Sequence, residues 1–435
     1  MASRAEQIAR IRAETTETRL AGQALPTGGA WVTAARREAL GRLQAMGLPT
    51  RRDEYWKYTN PETLTAPEPT SAALFDTAGK PPLFHEIDRV RLVFVDGVFD
   101  PEVSDDPGLA GVEIDRLAEA GRADIHWAKE LYGTLEARGQ TPVPRTLAAL
   151  NTAFAEDGFL IRATGRGEKP VSLVYLHRSE TSDAMLHHCV KVEPGAELTL
   201  LESGAAAARL NTVLEVDVAD GGRFHHVRMQ GRDHERRAAT HIFARIGEGA
   251  VFKSFTGTLN GRLTRNECVL ELAGRDGVAH VAGAAVGDGD FHQDDTVFVT
   301  HAAPGCESRQ VFKKVLRRGA VGVFQGKILV EQPAQLTDGY QISQSLLLDE
   351  DSQFLVKPEL EIYADDVKCS HGSTSGAIDP AQLFYLRARG MPREEAQALL
   401  VLAFLGEALD EIEDDRLAED IRERLAAWLN RHRDG

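Results

Sequence analysis

Turns that carry glycine recur at a nearly constant interval through the middle of this 435-residue chain. The intervals are 27, 27, 28 and 28 residues between Gly195, Gly222, Gly249, Gly277 and Gly305. A fixed period of roughly 20–50 residues is typical of solenoids. Between the turns lie short apolar and β-branched runs that are typical of strands: Val171–Leu176, Glu197–Leu201, Val213–Val218 and Val297–Thr300. The sequence therefore predicts a β-solenoid, and a β-sandwich with evenly spaced hairpins is the alternative.

Helical patterns occupy the N-terminal part of the chain. Residues 2–21 are rich in Ala, Arg and Glu, and residues 31–46 place their apolar side chains on one helical face. Gly47 is expected to cap this second helix, and another helical stripe runs within 145–157. The aromatic segment 55–58 is expected to be a packing anchor. A looser, proline-containing region separates these helices.

The chain returns to a helical pattern after residue 378. Asp379 is a good N-cap residue before Pro380, and two further helices with wide apolar stripes follow Pro392 and surround Leu417–Leu429. Helices appended to a solenoid either cap its end or offer a docking surface, and both options stay open. The resulting division is an N-terminal helical and mixed region (1–157), a solenoid core (158–368) and a C-terminal helical domain (369–435).

Composition excludes several classes of protein. The formal charge of −16 opposes a nucleic-acid-binding surface, which needs a basic face. No apolar run approaches the length of a membrane span, and the N-terminus has no apolar signal core, so we expect a cytoplasmic protein that binds no membrane. The four cysteines include no Cys-x-x-Cys pair, which opposes a zinc ribbon or a disulfide framework.

One short polar segment combines a thiol and an imidazole where the predicted core meets the C-terminal helices. Residues 365–376 read Asp-Asp-Val-Lys-Cys-Ser-His-Gly-Ser-Thr-Ser-Gly, after a strand-like run and before a helix. Cys369 and His371 are two residues apart, so in an extended chain both side chains point to the same face. These side chains suit zinc, copper or iron–sulfur chemistry. The spacing alone fits either a metal-binding pair or a packed cysteine beside a capping histidine.

The other histidines and cysteines are expected to have structural roles. Histidines 187/188 and 225/226 are neighbours in strand-like runs, so only one ring of each pair can face inward. Cys189, Cys268 and Cys306 are expected to be buried. His292, in a polar segment, fits either a site-lining residue or a solvated loop. The segment 319–328 lacks the first glycine and the hydroxyl residue of a phosphate-binding loop, which excludes nucleotide binding there.

A dense set of motif residues fills the C-terminal third of the chain. They are Phe312-Lys313, Gly319-x-x-Gly322-Val-Phe324-Gln-Gly326-Lys327-Ile328, Ala334-Gln335-x-Thr337-Asp338-x-x-Gln341, Leu346–Leu348, Lys357–Ile362, Asp365–Gly372 and Gln382–Leu386. Together with Trp56-Lys57-Tyr58-Thr59, they resemble the SufB/SufD family of iron–sulfur cluster assembly scaffolds. The resemblance is dense over 312–405 and weaker over 150–311. Within the family, Cys-Ser-His-Gly at 369–372 is similar to SufD, since SufB tends to carry acidic residues there.

Ser373, Ser375 and Tyr55 depart from the family pattern. Ser373 and Ser375 stand in a segment that we interpret as a loop, and less polar residues are commoner there in the family. Tyr55 stands at a position where the family commonly has Glu. None of the three substitutions removes the thiol or the imidazole, so none weakens the assignment of the site.

This resemblance implies a right-handed parallel β-helix flanked by helical regions, in agreement with the period. It implies pairing with SufB through the β-helix core and docking of the SufC ATPase on the C-terminal helices, for which we name Phe384, Tyr385, Leu399, Leu400 and Phe404. The isolated chain is a possible homodimer. The chain itself is expected to be a non-catalytic scaffold, because ATP hydrolysis resides in SufC.

The resemblance further implies that Cys369 and His371 are ligands of a nascent iron–sulfur cluster at the SufB–SufD junction. Replacing one thiolate ligand by an imidazole lowers the negative charge around the cluster. A cluster usually needs about four ligands, so a chain that offers a single thiol here needs a partner to complete the set. The residues give no argument for or against a flavin. Two alternatives are a structural adaptor without a metal site and a carbohydrate-active β-solenoid enzyme, which would need a row of inward acidic or basic side chains.

Overall fold

Residues 4–75, 82–231 and 235–431 are described by the computed structural model. Within these ranges the helices are α1 (Arg4–Leu20), α2 (Ala30–Met46), α3 (Glu62–Thr65), α4 (Leu117–Ala120), α5 (Thr134–Arg138), α6 (Thr146–Phe154), α7 (Pro380–Arg387), α8 (Arg393–Leu409) and α9 (Asp415–Arg431), with 3-10 turns at Glu54–Trp56, Pro107–Ala110 and Trp127–Glu130. None of the helices in the described ranges has the length and apolar character that crossing a membrane requires.

The strands fall into two sheets. They are β1 (Val90–Val95), β2 (Val98–Phe99), β3 (Glu113–Arg116), β4 (Phe159–Ala163), β5 (Val171–Leu176), β6 (Asp183–Val192), β7 (Glu197–Gly204), β8 (Arg209–Val218), β9 (Arg223–Gln230), β10 (Arg237–Ile246), β11 (Val251–Leu259), β12 (Leu263–Leu272), β13 (Val278–Asp288), β14 (His292–His301), β15 (Glu307–Arg317), β16 (Val321–Val330), β17 (Thr337–Leu347), β18 (Gln353–Ile362) and β19 (Val367–Gly376). Sheet A contains ten strands in the order β19-β17-β15-β13-β11-β9-β7-β5-β1-β2, and sheet B contains nine in the order β18-β16-β14-β12-β10-β8-β6-β4-β3.

The order of these strands confirms the predicted parallel β-solenoid. From β4 onward, successive strands alternate between the two sheets, and every strand pairs in parallel with the strand two positions later. Only β1–β2 and β3–β4 are antiparallel among the described pairs. A sandwich built of hairpins would pair successive strands in antiparallel fashion, so that alternative is wrong.

Stacked turns join sheet B to sheet A and explain the period. Each turn contains a residue with positive φ whose N–H donates to a carbonyl of the next coil, for example Gly195 to Asp220 at 3.0 Å and Gly249 to Arg275 at 2.8 Å. The prediction placed two of these positions at Gly222 and Gly277, one residue too late. The left-handed residues there are Gly221 (φ 67°) and Asp276 (φ 56°). Aspartate tolerates this conformation better than most residues, so the ladder continues without glycine at that coil.

The lumen of the solenoid changes character along its axis. In the earlier coils it is filled by apolar side chains such as Phe159, Leu173, Leu200, Val216 and Phe252. Toward the last coils buried polar side chains replace many of them, including Asp295, Gln310, Lys314, Gln341 and Ser343. The buried Lys314 ammonium is neutralised by Asp295 at 2.7 Å, as a buried charge requires.

Helices cover the outer faces of both sheets. The N-terminal helices α2 and α6, predicted from their apolar stripes, pack against each other and against sheet B. The C-terminal helices α8 and α9 lie against the outer face of sheet A, burying residues such as Leu405 and Trp428. Acidic residues beside them fix this position, since Glu411 meets His280 at 2.9 Å and Arg309 at 2.5 Å. The expectation that these helices cap the end of the solenoid is therefore wrong for α8 and α9, which pack on its side.

The region between α3 and α6 is more regular than its prolines indicated. It contains β1, which pairs in parallel with β5 from Val90↔Val171 to Val95↔Leu176. The solenoid thus begins before residue 158. The aromatic anchor is confirmed, because Tyr55 and Trp56 are buried and the guanidinium of Arg265 lies 4.1 Å from the Trp56 ring centre.

Candidate functional site

The solenoid ends at β18 and β19, and the predicted metal-binding pair lies on its last strand. β19 pairs with β17 on one side only, and most of its residues are exposed. Cys369 and His371 lie inside this ten-residue strand, whereas the sequence suggested the junction between a strand and a helix. The strand was missed because its residues are polar. The lumen side of a terminal coil is open, so polar side chains there cost little.

Register shows which way the pair faces. Cys369 stands opposite Gly339 and His371 stands opposite Gln341, and Gln341 is a buried lumen residue. Side chains of in-register parallel strands stack on the same face, so the thiol and the imidazole both project to the lumen side of the last coil. Ser373 and Ser375 continue this row, and their hydroxyls bond to those of Ser343 (3.1 Å) and Ser345 (3.0 Å).

The Cys369 thiol is half-buried in an apolar pocket. It packs with the cluster formed by Ile328, Val330, Ala334 and Ala364. Gly339 leaves room for it, because a Cβ at that position would lie 3.2 Å from the Cys369 Sγ atom. Burial raises the pKa of the Cys369 thiol above its ordinary value, with Asp338 adding to the effect and a hydrogen bond from the Gly339 backbone opposing it. The free thiol therefore stays protonated near neutral pH, and metal binding must displace its proton.

His371, by contrast, is exposed. Its neighbour one coil below is the Gln341 amide, which is fully buried. One sulfur and one nitrogen donor thus lie side by side at an open end of the molecule. Two such donors cannot complete the coordination of a cluster, which usually needs about four ligands. Chemically, this arrangement suits a shared site whose remaining ligands come from another molecule.

The five residues proposed for partner binding form two groups, one exposed to solvent and one half-buried. Phe384, Tyr385 and Leu399 are 74%, 55% and 47% exposed, which is unusual for large apolar side chains. Leu400 and Phe404 are half-buried, and the Lys313 ammonium lies 4.8 Å from the Phe404 ring centre. Helix α7, which carries Phe384 and Tyr385, has no buried residue. Its N-cap is as predicted, with the Asp379 carboxylate accepting from the Ala381 N–H at 2.8 Å.

A second cluster of possible metal ligands was missed by the sequence analysis. The ligand atoms of His187, Cys189 and Glu215 lie within 4.8 Å of one another, and all three residues are completely buried. The sequence could have indicated this cluster, because His187 and Cys189 have the same two-residue spacing as Cys369 and His371. His187 was paired with its sequence neighbour His188 instead.

The surroundings of Glu215 argue for a structural role of this buried cluster. Its carboxylate accepts from the Leu135 N–H (2.6 Å), the Glu136 N–H (3.0 Å), the Gly133 N–H and the His187 Nε2 (2.8 Å). Burial raises the pKa of the Cys189 thiol well above its ordinary value, and the Glu215 charge adds to this. Both carboxylate oxygens are satisfied and the thiol is protonated, so a cation would have to break existing bonds.

Four other histidines and cysteines have the buried structural roles predicted for them, whereas His292 lies in neither of the two predicted settings. His188 and His226 face the lumen, where they join a buried network with Tyr175 and Glu202. Burial lowers the pKa of His188 to about 4. Cys268 and Cys306 are buried. His292, at the start of β14, lies 3.0 Å from the Thr59 hydroxyl of the N-terminal region, so it lies in a packed junction.

Comparison with known proteins gives matches over most of the chain. Residues 175–404, more than half of the sequence, match the SufBD core domain of the SUF system for FeS cluster assembly, and residues 27–166 match the SufBD protein N-terminal region. The chain is 29% identical over 399 residues to the iron–sulfur cluster assembly protein SufD of Escherichia coli (strain K12), covering 90% of this chain and 91% of that protein. It is 29% identical to an iron–sulfur cluster assembly SufBD family protein of Synechocystis sp. over 87% of this chain and 86% of the relative. It is 26% identical to SufD of Bacillus subtilis over 66% of each protein.

Proposed function

The chain belongs to the SufBD family of iron–sulfur cluster assembly proteins, and on that premise we propose that it is the SufD-like scaffold subunit of a SufBCD complex. In this proposal Cys369 and His371 contribute ligands to a nascent iron–sulfur cluster at the interface with SufB. The cluster is cargo that is assembled and passed on. The chain supplies ligands and geometry, and ATP hydrolysis belongs to SufC.

One observation carries the proposal: a thiol and an imidazole project from the same face of the terminal solenoid strand. Strands β18 and β19 end the solenoid, and each keeps one edge unpaired. An exposed strand edge readily accepts another strand, so a second solenoid can continue the stack there. Ligands from both molecules would then meet at the junction. SufB is the proposed partner, and in the isolated chain a second copy can occupy the same edge.

Exposed apolar residues support docking of the ATPase on the C-terminal helices. Phe384 and Tyr385 project from α7, and Leu399 from α8, where they contribute little to the fold. Aromatic residues of this kind are typical anchors of protein–protein interfaces. Leu400 and Phe404 lie beside them and complete the proposed SufC surface. In this proposal the solenoid, including β19, serves pairing with SufB, the C-terminal helices α7–α9 serve docking and the N-terminal helices α2 and α6 support sheet B, all in the cytoplasm.

The test is cluster assembly on the purified complex. Cys369→Ala and His371→Ala chains, each co-purified with SufB and SufC, should lose about tenfold or more of the bound iron and sulfide after anaerobic reconstitution. Complex size on gel filtration should not change, because neither side chain is needed for the fold. Ser375→Ala, on the same face of β19, is the matched control and should keep full cluster content.

A structural adaptor without a metal site is the competing function. It predicts that both variants keep wild-type iron and sulfide while the complex assembles normally. That result would remove Cys369 and His371 from the proposal and leave only the docking of the ATPase.

A further inference from the structure

A column of buried glutamines runs directly beneath His371 in the solenoid lumen. Gln310 on β15, Gln341 on β17 and His371 on β19 occupy the same register position on three successive strands of sheet A. Both glutamines are completely inaccessible to solvent. The Gln341 Nε2 donates to the Gln310 Oε1 at 2.9 Å, so the two amides form a ladder along the solenoid axis.

The upper end of this ladder carries an unsatisfied acceptor. The Gln341 Oε1 atom is buried and has no hydrogen-bond partner among the described residues. A buried amide oxygen without a partner has lost its hydrogen bonds to water and gained none in return, so it is rarely left in this state. The nitrogen of this amide is bonded to Gln310, so the oxygen, on the other branch of the amide, remains available to a donor from the coil that carries His371.

Gly326 fixes the position of the Gln341 amide. This residue of β16 lies across the lumen, and a Cβ on it would come within 2.3 Å of the Gln341 Nε2 and 2.8 Å of its Oε1. The amide therefore fills the space that the missing side chain leaves. Packed in this way and bonded to Gln310, Gln341 has little freedom to turn its oxygen toward another donor.

We infer that Gln341 is a positioning residue for His371, with its Oε1 accepting the N–H of one imidazole nitrogen. This bond would select one tautomer and hold the ring so that the other nitrogen, with its lone pair, faces the open end of the solenoid. Metal-binding histidines commonly donate their second nitrogen to an oxygen acceptor in this way. The inference rests on the proposed function, because it assigns a purpose to the orientation of His371.

The first measurement is the tautomer of His371 in the full-length chain. With 15N-labelled histidine, the ring nitrogen shifts of His371 at a pH where the ring is neutral should report a single tautomer in the wild-type protein. Gln341→Leu, which removes the acceptor at similar volume, should give a mixture of both tautomers. Gln341→Glu keeps an acceptor of the same shape and should restore one tautomer. Ser343→Ala is the matched control, since it removes a β17–β19 side-chain bond in the adjacent column and should leave the His371 shifts unchanged.

The second measurement uses the assembled complex with SufB and SufC. Loss of the reconstituted cluster to a chelator should be about tenfold faster with Gln341→Leu than with the wild type or Ser343→Ala. A mixed tautomer in the wild-type chain, or His371 shifts that do not respond to Gln341→Leu, would overturn the inference. Failure of the proposed function is a different result, because His371→Ala would then keep its cluster whatever the tautomer experiment gives.

Discussion

Two pairs of a histidine and a cysteine in this protein share one spacing but lie in opposite environments. His187 and Cys189 are two residues apart on β6, and Cys369 and His371 are two residues apart on β19. The β6 pair is completely buried between sheet B and the N-terminal region, whereas in the β19 pair the imidazole is exposed and the thiol is half-buried. Residue type and spacing therefore do not separate a ligand pair from a structural pair. What separates the two pairs is solvent access, together with the donors that surround Glu215 beside the buried pair.

Glu215 makes the difference between the two pairs. On β8 it stands opposite Cys189 and bonds to His187 and to three backbone N–H groups at the start of α5. Four donors compensate for burying this carboxylate, and the resulting contact joins the N-terminal region to the solenoid. Among the described residues, no acidic side chain stands beside Cys369 and His371 on their face of the sheet, where Gly339 and Gln341 are the neighbours. The Cys369 thiol and the His371 imidazole can therefore still act as metal ligands.

The largest expected effect is the loss of Glu215. Glu215→Ala leaves the His187 ring and three N–H groups buried without an acceptor, which should destabilise the protein by about 3–5 kcal/mol. His371→Ala should change stability by no more than about 0.5 kcal/mol because His371 is exposed, and Cys369→Ala should cost only about 1 kcal/mol because its thiol is half-buried. Chemical denaturation followed by far-UV circular dichroism measures the difference.

The matched control for this comparison is Glu271→Ala. Glu271 lies on the same outer face of sheet B, where it is 41% exposed and lies 3.8 Å from Arg138. An exposed pair of this kind contributes between about 0 and 1 kcal/mol. Equal denaturation midpoints for Glu215→Ala and Glu271→Ala would contradict the structural role of Glu215.

Thiol reactivity provides a second comparison. In the native protein, iodoacetamide should modify Cys369, while Cys189 should react about two orders of magnitude more slowly, because it becomes accessible only when the N-terminal region opens. Since the pKa of Cys369 is raised, its reactive thiolate is scarce near pH 7, and its rate should rise about tenfold per pH unit toward alkaline pH. Peptide mapping by mass spectrometry between pH 7 and 9.5 resolves the cysteines. Similar rates for the two thiols, or a flat pH profile for Cys369, would show that the environments are not as described.

The smallest expected effect concerns two lumen-facing serines on different strands of sheet A. Ser254→Ala removes the buried partner of the His226 Nδ1 atom, 2.9 Å away, and should cost about 1–3 kcal/mol. Ser375→Ala breaks a bond of 3.0 Å to Ser345, but water can replace it at the exposed strand, so the cost should stay below about 0.5 kcal/mol. Thermal melting of the two variants compares them directly. If Ser375→Ala lowered the melting temperature more than Ser254→Ala, water would reach the open end less easily than the exposed surface of β19 indicates.

Much of the fold could be predicted from the sequence. The period of the turns identified the solenoid and the family resemblance implied its parallel strands, although two left-handed positions lie one residue earlier than the glycines suggested. The stripes of α2, α6, α8 and α9 were recognisable because an apolar face is a local pattern. β1 was hidden by the prolines around it, and β19 by its polar residues, since each becomes a strand only by pairing with a distant neighbour.

The candidate site was predicted less completely. That Cys369 and His371 share a face follows from their spacing in any extended strand. The buried partners of the site, Gly339, Gln341 and Gly326, could not be identified as such because they belong to other coils. Likewise, the structural role of His187 depends on Glu215, whose backbone N–H donors are about 80 residues away from it in the chain.

By itself, the sequence determined the repeat, the alternation of side chains along each strand and the presence of a thiol and an imidazole on one face. The tertiary structure alone decided which Cys/His pair is enclosed and which stays open, and which buried groups lie beneath the open one. The physical reason is that period and facing are local properties of the backbone. Burial and hydrogen-bond satisfaction depend on contacts between residues that are far apart in the chain.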